Sequence, residues 1–144
     1  MKKGQTDNRI LDKNLQENEK IETAIEALQK EPTQEMLAHT LTMIRRRMND
    51  GGQLVVGVEV SGQDMQMNAG TIEAEDGGIW WFAFTSFEEE IKGSNQVMSA
   101  FLGNMRQLFE TAIKTDGING IIINPWNRTI MLDKELIQII LGEN

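Results

Sequence analysis

The sequence contains no cysteine, a single histidine and only two prolines in 144 residues. The absence of cysteine excludes disulfide bonds, thiolate metal sites and cysteine nucleophiles, so the chain is indifferent to the redox compartment. With one histidine and no cysteine, a zinc site is not expected. A chain of this length can bury roughly 68–70% of its unfolded surface, which is enough for a core without cross-links.

Basic residues are in the minority: 14 Lys and Arg stand against 22 Asp and Glu, which gives a net charge of −8. This charge repels phosphate backbones and anionic lipid surfaces, so neither nucleic acid nor a membrane is expected as a partner. No stretch approaches the roughly 18 consecutive apolar residues of a membrane span, and no apolar region follows the two N-terminal lysines. The expected location is therefore the cytoplasm.

The most apolar stretch is residues 79–84, in which both faces of an extended chain would be apolar. This pattern predicts a strand in the interior of a sheet that is covered on both sides. Thr85 or Ser86 then predicts a helix N-cap, and Glu88 or Glu89 would complete a capping box. The acids are thereby assigned to a helix start, not to a catalytic or magnesium-binding pair.

The first half of the chain predicts helices followed by strands. Residues 1–13 are expected to be a frayed lead-in, and residues 14–144 a single domain. Helical spacing of apolar residues from residue 14 onwards, interrupted at Glu31-Pro32, predicts an N-terminal helical hairpin. A first strand is predicted over residues 53–61, nearer an edge of the sheet than the strand at 79–84, and Asp76-Gly77 predicts a β-hairpin.

The second half predicts a short strand over residues 96–99, a helix that starts near Leu102 and ends near Asp116-Gly117, and a buried strand over 120–124. Residues 129–132 would return as a hairpin arm, and Asp133 would cap a final helix. The predicted fold class is therefore α+β, with a mostly antiparallel sheet of five to six strands. The N-terminal helical hairpin and the later helices are expected to pack on this sheet.

Two stretches carry a family resemblance. Residues 82–89, Phe-Ala-Phe-Thr-Ser-Phe-Glu-Glu, are similar to the strand-to-helix signature of the SseB-family N-terminal domain. Residues 120–125, Gly-Ile-Ile-Ile-Asn-Pro, resemble that family's late strand, and the order of elements from about residue 15 to 142 also fits. The resemblance implies a domain of poorly defined role, linked to serine sensitivity or secretion, and it supplies no catalytic residues. Roles that depend on the second domain of longer members stay open.

Catalytic chemistry has little support in the sequence. A Ser–His hydrolase would need His39, which the helical pattern places towards solvent, together with one of the available serines, Ser61, Ser86, Ser94 and Ser99. No serine lies in a Gly-x-Ser-x-Gly elbow, so a hydrolase is the least favoured alternative. The run Arg45-Arg46-Arg47 is expected to complement the negative end of a helix dipole. No catalytic, cofactor-binding or metal-binding residue is predicted.

The turn formed by Asn124, Pro125 and Trp126 is the candidate protein-binding site, together with the acidic residues Glu73 and Glu75. Exposed tryptophans often anchor interfaces, although the ring could instead fold back over the sheet. The predicted function is a non-enzymatic protein-binding or adaptor domain without cofactors. The alternative is an acidic immunity or anti-toxin protein that occupies a basic enzyme's active site. The identity of the partner and homo-oligomer formation stay open.

Overall fold

A computed structural model of the chain describes residue 15 and residues 17–61, 66–91 and 100–142. The helices in these ranges are α1 (Glu19–Lys30), α2 (Gln34–Asn49), α3 (Phe87–Ile91), α4 (Met105–Lys114) and α5 (Lys134–Leu141). The strands are β1 (Gln53–Ser61), β2 (Gln66–Ala69), β3 (Thr71–Glu73), β4 (Ile79–Phe84), β5 (Ala100–Asn104), β6 (Gly120–Ile123) and β7 (Ile130–Asp133). The predicted lead-in and the predicted strand at 96–99 lie outside the described residues.

The strands form one mixed sheet, in which β4 is central. β4 pairs with β1 and β3 along one edge and with β6 along the other. The β4–β6 pair is parallel, whereas the other strand pairs are antiparallel, which confirms the predicted α+β class with a mostly antiparallel sheet. As predicted, β1 lies nearer an edge than β4: β5 pairs along the outer side of β1, whereas both β6 and β7 lie beyond β4.

Among the described residues the sheet contains seven strands, compared with the five to six predicted. Residues 66–69 form β2 along β1. The chain then reverses at Gly70, whose N–H donates to Gly57 O at 2.9 Å and whose carbonyl accepts from Phe82 N at 3.2 Å. A Cβ atom at Gly70 would lie 2.6 Å from the Phe82 ring, so a larger residue would not fit at this reversal.

Two apolar clusters lie on opposite faces of the sheet. The larger cluster packs α1, α2, α4 and α5 against strand residues such as Val56, Ile121 and Leu132. The predicted helical hairpin of α1 and α2 belongs to this side, and it is confirmed. The smaller cluster, on the other face, is mainly aromatic and consists of Leu15, Val55, Trp80, Phe82, Phe84 and Ile122. The central strand is therefore apolar on both faces, as its sequence predicts.

Of the helix starts, that of α5 is confirmed and that of α4 differs from its prediction. Asp133 caps α5 by accepting from Leu136 N at 2.9 Å, as predicted. The helix predicted from residue 102 starts instead at Met105, because residues 100–104 pair with β1. The first helix begins at Glu19, and the side chain of Asn18 donates to Gln53 O at 2.8 Å and to Thr85 O at 3.0 Å.

The arginine run serves contacts between elements. Arg45 donates from Nε to Ile140 O at 2.9 Å and also donates to Ile139 O. It therefore supplies hydrogen bonds to carbonyl groups at the C-terminal end of the neighbouring helix α5. Arg47 is buried and donates from Nε to Asn18 Oδ1 at 3.3 Å. Arg45 and Arg47 thus serve contacts inside the fold, while Arg46 and Arg47 lie in the last turn of α2, as the predicted complement to its helix dipole requires.

Candidate functional site

The two stretches that carry the family resemblance meet in the structure. Because β4 and β6 are parallel, their carboxyl ends lie side by side, which brings Thr85 and Asn124 together. Asn124 Oδ1 accepts from Thr85 N at 2.9 Å, and Asn124 Nδ2 donates to Thr85 Oγ1 at 3.0 Å. Both residues are fully buried, so these hydrogen bonds replace water for each of them.

A buried charge network continues from this pair. The Thr85 hydroxyl donates to Glu22 Oε2 on α1. Arg128, in the turn between β6 and β7, donates from Nε to Glu89 Oε2 on α3 at 3.0 Å, and its Nη1 lies 3.5 Å from Glu22 Oε1. Glu89 is fully buried. The network therefore ties α1, α3 and the β6–β7 turn to the end of the central strand.

Arg128 stays charged within this network. Burial by itself lowers the pKa of Arg128, but the hydrogen bond that Arg128 donates to Glu89 and the negative charges of Glu22, Glu89 and Glu26 more than compensate, so the pKa is raised. Arg128 also has a positive φ of 50°, a conformation that is uncommon outside glycine and asparagine. The network holds the turn in this conformation.

The predicted start of α3 is confirmed for Ser86, whose Oγ accepts from Glu89 N at 3.1 Å. The Glu89 carboxylate, which would form the other half of the predicted capping box, binds Arg128. Burial raises the pKa of the neighbouring Glu90. The acids of this stretch therefore differ in role, and Glu89 belongs to the network of the β6–β7 turn.

A groove of about 540 Å³ crosses the aromatic face of the sheet. It runs from the turn between β3 and β4 to the turn between β6 and β7. This Trp126 groove is lined by apolar side chains and two acids, namely Ile72, Ala74, Glu75, Asp76, Ile122, Pro125, Trp126, Thr129 and Met131. The four longer helices, α1, α2, α4 and α5, pack on the opposite face, so the described residues leave this surface accessible.

Trp126 is partly exposed and partly folded back over the sheet, the two alternatives that the sequence left open. Its ring is tilted by 38° against Phe84, with 6.5 Å between the ring centroids, so one side packs on the sheet. The residue is nevertheless 43% exposed, and Met131 beside the same groove is 44% exposed. An aromatic and a methionine side chain are thus presented together to solvent.

The structure brings some of the predicted site residues together and separates others. Pro125, Trp126 and Glu75 line the same groove. Asn124 does not offer its side chain to a partner, because it is fully buried and holds the turn, which corrects the expectation for that residue. Glu73 is exposed but does not line the groove, since it pairs with Ile79 on the helical side of the sheet.

The sequence reasoning missed Asp76 and Met131 as groove residues and Arg128 as the residue that fixes the turn. Asp76 was identified only as a hairpin residue, and its Oδ1 indeed accepts from Gly78 N at 2.9 Å. The alternation in β7, where Ile130 and Leu132 are buried, could have placed Met131 on the other face. No sequence pattern pairs Arg128 with Glu89, which are 39 positions apart.

Within the described part of the chain, no set of catalytic or metal-binding side chains is brought together. His39 is exposed on α2, beside α1 residues and two methionines, Met36 and Met43. Of the available serines, Ser86 lies at the cap of α3. Among the described residues, no group of three or more histidine, aspartate or glutamate side chains is placed to hold a metal ion.

Replacing Asn124 by alanine is expected to lower the free energy of unfolding by about 2–5 kcal/mol. The change leaves the buried Thr85 amide without its acceptor, at about 1–3 kcal/mol, and forces alanine into left-handed backbone, at about 1–2 kcal/mol. The φ of Asn124 is 56°. Urea unfolding measures the difference. Asn124→Gly should recover part of the loss, and exposed Asn127→Ala should change stability by less than about 0.5 kcal/mol.

No helix in the described ranges combines the length and apolar character needed to cross a membrane. Comparisons with models of known protein families, with curated proteins and with solved structures found no match.

Proposed function

We propose that this chain is a non-enzymatic protein-binding domain whose partner contacts the Trp126 groove. The observation that carries the proposal is the joint exposure of Trp126 and Met131 along an apolar depression next to Glu75 and Asp76. Aromatic residues and methionine are enriched at protein interfaces, and tryptophan is a frequent hot spot. An apolar surface that a monomer leaves accessible commonly marks an interaction site.

The rigidity of the turn supports the same proposal. Trp126 lies between Asn124, which is bonded to Thr85, and Arg128, which is bonded to Glu89. The Thr129 hydroxyl also donates to Asn124 O at 2.6 Å, which closes the turn on itself. An anchor held in advance loses less conformational freedom on binding, so the turn is organised for recognition before a partner arrives.

The SseB resemblance stays a prediction. It is supported by the contact between Thr85 and Asn124, which joins the two stretches on which the resemblance rests. A role as an adaptor linked to serine sensitivity or secretion is part of this proposal. The absence of a catalytic assignment in that resemblance agrees with a binding role.

Affinity purification from the host tests the proposal through Trp126. The wild-type chain should recover a protein in near-stoichiometric amount, and Trp126→Ala should weaken its binding by about 30-fold or more, the effect of a hot spot of at least about 2 kcal/mol. Ile139→Ala is the matched control, because Ile139 is 42% exposed on α5, outside the groove. Binding is measured by titration calorimetry with the purified partner.

Two results would contradict the proposal. In one, no protein is recovered in stoichiometric amount; in the other, wild type and Trp126→Ala bind their partner equally. Circular dichroism must show that Trp126→Ala is folded, because the ring packs on Phe84. Trp126→Phe retains an aromatic ring at that contact and should lose less affinity than alanine.

A second candidate function is inhibition of a basic enzyme, as an immunity or anti-toxin protein. The net charge of −8 and the acids beside the groove favour it, since they complement a basic active-site surface. This candidate predicts a neighbouring gene that encodes a secreted toxin. Co-expression of the two genes should restore growth, and it should fail to do so with Trp126→Ala.

A further inference from the structure

The backbone of the strands under the Trp126 groove is already paired. β4 bonds to β1 and β3 on one edge and to β6 on the other, while β6 lies between β4 and β7. A partner strand therefore finds no open edge at the centre of this groove, and recognition by strand addition is disfavoured there. Contacts must come from side chains that enter the groove from above.

The charge around the groove has one sign. Among its described lining residues, Glu75 and Asp76 are acidic and none is basic. Arg128, which belongs to the neighbouring turn, is directed to Glu89 and Glu22. The apolar surface around Trp126 and the acidic turn between β3 and β4 thus form two adjoining parts of one surface.

On the basis of the proposed function, we infer that the groove binds a basic segment of a protein. An apolar side chain of this segment packs beside Trp126 and Met131, and a lysine or arginine nearby meets Glu75 and Asp76. The cavity of about 540 Å³ has room for a few side chains of such a segment. The charges set the partner class and the rate of encounter, while the apolar contact supplies most of the affinity.

A display library of random dodecapeptides tests the partner class without knowledge of the natural partner. Peptides are selected on the wild-type domain after depletion on Trp126→Ala. The selected peptides should carry lysine or arginine within a few positions of a large apolar residue. Affinity of a synthetic peptide from this set should fall as salt rises from ~50 to ~300 mM, because salt screens exposed pairs.

Charge-neutralised variants identify the acids responsible. Glu75→Gln with Asp76→Asn should weaken peptide binding by about threefold to tenfold, the effect of two exposed ion pairs. Asparagine at position 76 keeps an oxygen that can accept from Gly78 N, so the turn is preserved. Glu110→Gln with Asp116→Asn removes the same charge from exposed positions outside the groove and should leave binding unchanged.

The outcomes separate the inference from the function on which it rests. Peptides that require Trp126 but are acidic or uncharged, and that bind both double variants equally, would overturn the inference and leave the proposed protein-binding function standing. A selection that yields no peptide dependent on Trp126 would count against both. A charge-reversed variant, Glu75→Lys, should weaken the basic peptides further than Glu75→Gln does, and equal binding to the two would also overturn the inference.

Discussion

Replacing Arg128 by methionine is expected to lower the free energy of unfolding by about 3–5 kcal/mol, the usual result of removing one partner from a buried ion pair. Glu89 is fully buried, and Arg128 Nε donates to its Oε2 at 3.0 Å. Methionine fills part of the same volume but supplies no positive charge. Urea unfolding at neutral pH measures the loss, and the exposed Arg46→Met on α2 is the control.

A double-mutant cycle distinguishes the ion pair from simple loss of packing. Arg128→Met with Glu89→Met removes both charges, so it should be clearly less destabilising than the sum of the two single changes. A strictly additive cycle, or an Arg128→Met variant as stable as the wild type, would contradict the assigned role of the network.

Arg128→Met also bears on function, because the same residue fixes the turn that presents Trp126. Loss of the bond to Glu89 should increase the mobility of this turn and weaken partner binding more than the change in folded fraction explains. Binding measured at a temperature where the variant is fully folded isolates this effect. Unchanged affinity under that condition would indicate that Trp126 is held by Asn124 and Thr85 without Arg128.

Replacing Gly120 by alanine is expected to cost about 3 kcal/mol or more, at the upper end of overpacking effects. The added Cβ would lie 2.0 Å from Leu132 O and 2.8 Å from Asp133 Cα. These are backbone atoms of β7, which is paired with β6 at this position, so they cannot move without disturbing the ladder. Thermal and urea unfolding should both show the loss.

Gly78→Ala is the matched control for Gly120→Ala. A Cβ at Gly78 would lie 2.3 Å from Asn119 Nδ2, but this atom ends a side chain of an exposed residue and can rotate away. The expected cost is below about 1 kcal/mol. Equal destabilisation by the two substitutions would show that displacement of the β7 backbone does not set the cost at Gly120.

Local patterns in the sequence predicted most elements correctly. The apolar run at 79–84, the Asp76-Gly77 turn and the cap at Asp133 each depend on neighbouring residues, and each occurs where it was predicted. Position in the sheet depends on distant segments. β5 pairs with β1, and residue 102 therefore belongs to a strand and not to the predicted helix.

The candidate site shows the same division. Trp126 and Pro125 were identifiable because a tryptophan in a turn is unusual in its own right, and Glu75 because it is an acid beside a hairpin. Their common groove was not identifiable, because it depends on the pairing of β3, β4, β6 and β7. Asn124 was misjudged for the related reason that its hydrogen-bond partner, Thr85, is 39 positions away.

The sequence by itself determined an acidic, cysteine-free α+β chain with a central aromatic strand and a helical hairpin, because composition, periodicity and capping are local properties. Only the tertiary structure decided how the acids are used. Glu89 became the buried partner of Arg128, whereas Glu75 and Asp76 stayed at the rim of a groove. Burial and pairing of a charge depend on what the rest of the fold places around it. The residues next to it in the sequence do not predict that environment.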